Sequence, residues 1–354
     1  MRRPSGAATV RATARTVVRL AVTAGSATTE SAVRERVAYG GQALVDGVLM
    51  RGRTHVGVAL RTRDGSIATA SERLGSGPVR RALARIPAGR GVVVLWETLS
   101  LGSRWLLRSA EVSAGEEAPE SGNRAFGVLV LALTLVLAIG VFNVLPAIVA
   151  SLLVRSLGIA SLLVERLVDG VLQMFVLVAY LSLVGRSRDV DRTYRYHGAE
   201  HRAIHAYENG ESLTRANLSR WPTAHPRCGT EFLVVVILVS LVFFSLLGRL
   251  DPIATIVSRI VGIPLVAGIS YEILRLLGRY RNNPIARALA APGLGVQRIT
   301  TRQPDDAMHD IAIAALEAAL VAEGDAVPDG SERPATRPLP VAMQREATPG
   351  GGAR

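Results

Sequence analysis

The sequence predicts an α-helical integral membrane protein with four transmembrane helices and a small cytoplasmic α+β portion. Three observations carry this reading. Four long stretches are apolar and almost free of charge. Hydrophobic residues reach 49% and mean hydropathy is +0.29 although 20% of residues are charged, so charged and apolar residues are segregated along the chain. Between residues 39 and 74 the pattern changes to short alternating runs broken by glycine, a strand signal. Together these exclude a disordered chain and a single water-soluble domain.

The 354 residues carry 41 basic side chains, all Arg, against 29 acidic ones, for a formal charge of +12. Arg commonly flanks membrane spans, so this balance calls for a lipid bilayer as partner and not for nucleic acid. The single Cys, Cys228, excludes an intramolecular disulfide framework and a zinc site made of Cys alone.

Residues 1–37 form an Arg-, Ala- and Thr-rich arm that lacks the uncharged core of a signal peptide. It reads as disordered, or over 10–22 as a short amphipathic helix. Residues 38–124 combine a β-hairpin with a membrane-surface helix. Val56, Val58 and Leu60 alternate, Arg63-Asp64-Gly65 marks a turn, and a second strand covers Ser66 to Ser71. Ahead of it, glycines frame Gln42, Asp46 and Arg51. This is either a bulged ribbon or a segment whose polar residues face a site. Residues 78–110 read as helical. Within them 91–107, with Trp96, Glu97 and Trp105, suits a helix lying in or against the membrane surface.

Residues 125–186 hold the first two spans. Ala125 to Val154 has no charge, and thirty helical residues would reach about 45 Å, beyond a hydrocarbon core of about 30 Å. Pro146 is the expected break. The second span, Gly170 to Gly185, extends upstream through Glu165, Arg166 and Asp169. Residues 231–278 hold the third span, Phe232 to Gly248, and the fourth, about Ile260 to Leu277. The connections between spans one and two (Arg155, Arg166) and between three and four (Arg249, Arg259) carry two Arg each, whereas the connection from Arg186 to Arg227 carries eight. The Arg excess belongs in the cytoplasm, which places the central 187–230 loop and both termini there. Residues 279–323 end in a cytoplasmic helix that starts near Thr300 and Pro304 and runs to about Val321, with Ile311, Ala314, Ala315 and Leu316 as its apolar face. Residues 324–354 are Pro-, Gly- and Ala-rich and read as a disordered tail.

The chemistry concentrates in the central loop. Tyr196-His197-Gly-Ala-Glu200-His201 continues to His205 and Glu208. On a helix His197, His201 and His205 fall at about 0°, 40° and 80°, so one face carries three imidazoles. Adjacent imidazoles at i, i+4 can share a metal, but His197 and His205 stand about 12 Å apart along the axis and do not easily share one. His-x-x-Glu-His is also the inverted zinc-protease pattern, in which two His hold zinc and Glu activates its water. A polar juxtamembrane helix with clustered His is the plainer reading. His225-Pro-Arg-Cys228-Gly-Thr230 follows with ligand-type His-x-x-Cys spacing, before an N-cap expected at Thr230. His225 is a ligand or a substrate contact, and Cys228 a ligand or a small buried residue. Glu272, inside span four, either pairs with Arg275 or completes a metal shell.

Five segments together resemble the YqhQ family over about residues 38–322: Gly40-Gly-Gln-Ala-Leu-Val-Asp-Gly-Val-Leu-Met-Arg-Gly52, Tyr196 to His201, His225 to Thr230, Tyr271-Glu272, and Pro292-Gly-Leu-Gly-Val-Gln-Arg-Ile-Thr-Thr-Arg-Gln-Pro304. That is a domain-of-unknown-function family of bacterial membrane proteins labelled as metal-dependent enzymes, so the resemblance implies a metal site. Asp46 stands where the family is expected to have Glu, and His205 where another polar residue is common. The function expected is a metal-dependent hydrolytic reaction at the cytoplasmic face of the inner (plasma) membrane, on a membrane-associated substrate. His197 and His201 would be ligands and Glu200 the general base. His225, Cys228 or Glu272 would complete the shell around a divalent ion, for which zinc fits best. The rival is a non-enzymatic assembly factor or transporter with a structural or transported metal.

Overall fold

A computed structural model describes residues 38–75, 83, 85–86, 89–115, 124–226, 228–280 and 283–339. The expectations for 1–37 and 340–354 lie outside the described residues. The elements below belong to the unit that begins at Tyr39.

The strands are β1 (Gly40–Leu44), β2 (Gly47–Arg51), β3 (His55–Arg61), β4 (Ile67–Arg73) and β5 (Thr336–Pro338). The helices are α1 (Gly89–Ala114), α2 (Arg124–Ile139), α3 (Leu145–Ser156), α4 (Leu162–Val184) and α5 (Arg188–Glu208). They continue with α6 (Arg215–Arg220), α7 (Gly229–Leu246), α8 (Pro252–Arg279), α9 (Pro284–Thr300) and α10 (Asp306–Glu323).

β1 to β4 form an antiparallel meander, and β5 adds to β4 in parallel. The expected turn before β4 is present: Thr62 N donates to Ser66 O at 3.0 Å, and Asp64 Oδ1 accepts from Ser66 N at 3.0 Å. Both sheet faces are covered, so β2 and β3 are apolar almost throughout and not alternating. On one face Leu101, Trp105 and Val112 of α1 pack on Leu49, Val56, Val58 and Leu60. On the other lies α10, whose backbone at Ala315 and Ala319 sits directly on Gly57. A Cβ there would be 2.5 Å from Ala315 O. Because α10 lies between the sheet and α5, its burial extends past the expected stripe to Ala312, Ile313 and Leu320. It starts later than the sequence suggests. Asp305 is its N-cap, accepting from Met308 N at 2.8 Å, and Pro304 precedes the cap.

The tail expected to be disordered from 324 is instead structured as far as Leu339. α10 stops at Gly324, with φ 75, and Glu332 N then donates to Leu213 O at 2.9 Å. Leu339 inserts into the core on the α1 face. Composition hid this, because the ordering comes from pairing with segments more than a hundred residues away.

Four helices are long and apolar enough to cross a membrane: Ala132–Ser156, Leu162–Val184, Gly229–Leu246 and Ile253–Arg279. The first is interrupted by one π-helical turn, Gly140–Val144, just before Pro146. Proline offers no N–H and its ring crowds the preceding turn, so the ladder must widen there. Arg166 and Arg259, placed in connections by the sequence, lie inside α4 and α8. Arg259 is 1% exposed and Asp169 3%, and the two form an ion pair. Gln173 donates to Asp169 Oδ1 at 2.8 Å, the Arg259 guanidinium reaches the Asn143 carbonyl at 3.4 Å, and it stands 4.3 Å over the Phe244 ring. Charges in so apolar a setting require this degree of partnering.

Residues 91–107 are not among the helices long and apolar enough to cross a membrane. The start of α1 packs on α8, where a Cβ on Gly91 would be 2.8 Å from Tyr271 Cβ, and its later turns cover the sheet. Trp96 faces outward at 73% exposure.

Candidate metal centre

The expected helical run from His197 to Glu208 lies on one helix, α5. Ser187 caps it by accepting from Val190 N at 3.3 Å, and Asp189 and Asp191 occupy its first turn, where the helix dipole favours acids. The helix lies against β1 and α10. His197 and His201, one turn apart, hold their rings 4.4 Å from each other. His197 Nδ1 meets Thr300 O at 2.9 Å, at the end of α9, and His201 Nδ1 meets Thr223 O at 2.5 Å, in the segment after α6. A carbonyl only accepts, so each Nδ1 donates and the Nε2 atoms are left to face the cluster. This is the arrangement found behind metal-bound imidazoles.

Cys228, and not the expected Thr230, is the N-cap of α7. Its extended backbone ends the preceding segment, and its Sγ accepts from Thr230 N at 3.4 Å. His197 Nε2 stands 3.1 Å from that sulfur. Burial pushes the thiol up, but its interactions with His201 and Thr230 more than offset it and hold Cys228 below its ordinary value. Burial holds His201 below the usual imidazole range, which keeps it neutral and able to ligate. One donor atom from each of His197, His201 and Cys228 lies within 4.8 Å of the others. Tetrahedral ligands at zinc bond lengths stand about 3.5 Å apart, so little movement would close the set on an ion.

Glu200 is 2% exposed, and its Oε2 has no hydrogen-bond partner among the described residues. That oxygen lies 3.9 Å from His197 Nε2. Burial pushes its carboxyl up to about 8, with His197 pulling it down and Cys228 raising it. β1 lies over the carboxylate with no side chain between them: a Cβ on Gly41 would be 2.6 Å from Glu200 Oε1. Glycine is required there by close approach.

These residues line one cavity of about 450 Å³, which also takes in Gln42, His225 and Thr300. His225 stands beside the three donors and not among them, its ring 5.7 Å from His201 and its Nε2 3.5 Å from Glu208. His205 turns its Nε2 to Ala224 O at 2.9 Å and stacks on Trp221, so α5 does not aim it at the cluster. The remaining expected residues lie elsewhere. Asp46, at φ 53 in the β1–β2 turn, accepts from Ser113 and pairs with Arg192. Arg51 pairs with Glu97 of α1. Glu272 pairs with Arg90, fastening α1 to α8, and Arg275 stands 3.9 Å away. Of Gln42, Asp46 and Arg51, only Gln42 faces the cavity.

Sequence reasoning missed the carbonyls of Thr223 and Thr300, which carry no side-chain signal. It also missed Glu231, buried one turn inside α7, with both oxygens lacking a hydrogen-bond partner among the described residues. The acid three residues beyond Cys228 was the available clue.

The fold and site define a mostly helical protein, with four helices fit to cross a membrane and a His/His/Cys cluster at the end of one of them. The chain belongs to the family described as "Protein of unknown function (DUF1385)", whose model matches residues 86–322. It is 31% identical over 291 residues to "Uncharacterized protein YqhQ" of Bacillus subtilis (strain 168), covering 78% of this chain and 90% of that protein. No solved structure matches it.

Glu200 gives the metal-free protein a pH signature. Its folded value of about 8 lies above the ordinary 4.5, so the folded state holds a proton that the unfolded state releases between those values. Stability therefore falls as pH rises through this window. Thermal unfolding of metal-free protein should show a lower Tm at pH 9 than at pH 6, and Glu200→Gln should flatten that slope. Equal slopes in the two proteins would show that Glu200 is not buried as described.

Proposed function

We propose that this chain is a zinc-dependent hydrolase of the bacterial inner (plasma) membrane, with its site at the cytoplasmic surface. The observation that carries the reading is the convergence of three donor atoms within 4.8 Å beside a buried carboxyl oxygen that lacks a hydrogen-bond partner among the described residues. Two imidazoles and a thiolate suit zinc, and three protein ligands leave a fourth position open, as catalytic sites do.

An ion held there would supply Lewis-acid activation of water at neutral pH. The chain's own residues do the rest. His197 and His201 would hold the ion through Nε2, their rings oriented by the carbonyls of Thr300 and Thr223. Cys228 offers its sulfur as an anion, favoured by the N-terminus of α7. Glu200 accepts the proton of the attacking water as its oxygen bonds to the electrophilic atom of the substrate, and returns that proton to the leaving group. A nearby cation favours the ionised carboxylate that this role needs. Glu200→Gln should retain metal and fold but fail to complement a deletion strain, since loss of a general base costs about 10²–10⁴-fold in rate. Full function in that variant, with His201→Ala inactive, would make the metal structural or transported.

Metal analysis of the purified protein tests the ligands. His201→Ala should lose most of the zinc found in the wild type, and His205→Ala should keep it. Equal loss in both variants would overturn the ligand assignment, and a wild type free of metal would overturn the reading itself.

The orientation rests on Arg. With Arg155, Arg166 and Arg259 inside helices, the two short connections keep only Arg249, against eight in the segment that carries α5. A reporter fused after Asn209 should read as cytoplasmic, and an external signal would reverse the topology.

A further inference from the structure

We propose that the site acts on a membrane amphiphile, and that the apolar chain of this substrate lies in a slot between the spanning helices. The chemistry rests on the hydrolase reading; the slot rests on the cavity alone. A second cavity, of about 350 Å³, lies among α2, the π-helical turn, α4, α7 and α8. Its walls are almost wholly apolar, with Leu177, Val236, Ile237 and Ile263 among them. Cavities so lined stay dry and accept apolar guests.

Leu181 belongs to the wall of this slot and to the wall of the metal cavity. It lies one turn before the end of α4, and Leu233, across the slot, lies just over one turn after Cys228. The slot therefore begins directly beneath the metal cluster. From Leu181 it reaches Gln173 and Asn143, and eight helical residues correspond to about 12 Å. Both polar groups at that end are engaged, Gln173 with Asp169 and Asn143 with Arg259. The floor therefore asks for no polar guest. A ligand that satisfies both cavities has a polar, hydrolysable head beside His197, His201 and Cys228, and one long apolar chain running down between α4 and α7. A water-soluble peptide would leave the lower cavity without an occupant.

The test uses the full chain in phosphatidylglycerol nanodiscs. These are doped with a phosphatidylglycerol analogue that carries a diazirine near the end of one acyl chain, and photolabelled residues are mapped by mass spectrometry. Label is expected on the buried Leu177 and Ile237, besides outward residues such as Phe175, which is 67% exposed. Ile237→Trp fills the slot and should reduce label at Leu177 about tenfold, leaving Phe175 labelling and bound zinc unchanged. Ile263→Trp, from another wall, serves should Ile237→Trp fail to fold. Label confined to outward residues, or label at Leu177 undiminished by either Trp, overturns the slot. Bound zinc with no label in the slot sinks this proposal and leaves the hydrolase reading standing. Slot label in a protein that binds no zinc does the reverse.

Discussion

Two hydrogen bonds of one kind organise the molecule: an imidazole Nδ1 on α5 given to a backbone carbonyl. His197 takes Thr300 at the end of α9, and His201 takes Thr223 after α6. Each bond fixes a ring and leaves its Nε2 pointing the same way, so convergence of the donors follows from backbone placement. The same bonds tie three otherwise separate parts together. α5 belongs to the layer that packs on α10 and β1, α9 packs on α7, and α7 begins at the third donor, Cys228. Gln297 on α9 adds a clasp, since its amide exchanges two hydrogen bonds of 2.9 Å with the backbone of His225. A shift of α9 by one residue would turn Thr300 away from His197 and break the geometry of the cluster.

The molecule buries charge in two contrasting ways. Between the spans, Asp169 and Arg259 are enclosed together with Gln173, Asn143 and the Phe244 ring, so nearly every polar demand is met locally. That pattern joins helices. At the cluster, Glu200 is equally buried but one oxygen has no partner among the described residues, and strand β1 closes over it without a side chain. A carboxylate left so costs stability unless something else uses it. The contrast is between a pair whose partners are supplied by neighbouring helices and a carboxyl group whose partner is not supplied by the described residues.

The long periodic elements were legible in the sequence because a hydrophobic run or a turn residue is a local signal. The four apolar helices, the β3–β4 hairpin and the shared helical face of His197 and His201 are of this kind. What was not legible depended on partners far away in the chain. β5 is a strand only because β4 offers it an edge, and Leu339 is core only because α1 covers it. Asp46, Arg51 and Glu272 looked like site residues because an acid or Arg among apolar neighbours demands a reason. The reason was an ion pair across elements: with Arg192, Glu97 and Arg90 respectively. His225 and His205 show the same limit. His225 is one ring contact from the cluster and His205 one further, yet backbone and Glu208 contacts engage the side chains that spacing alone would have offered to a metal.

Gly41 joins these points. Sequence reading placed it in a glycine-rich ribbon with no assigned partner, and its register opposite Met50 makes it an ordinary strand residue. Its role comes from the α5 side, where Glu200 occupies the volume that a side chain at 41 would need. The strand thereby walls the carboxylate from solvent, and that burial raises its proton affinity. The neighbouring Gln42 contributes its side chain to the same cavity, close against Gly102 of α1. The small sheet is thus more than a domain attached to membrane helices. Its first strand is one wall of the site, α10 on its far side supports α5, and α1 binds it to α8. Without this lid the apolar helices alone would leave the three donors open to water.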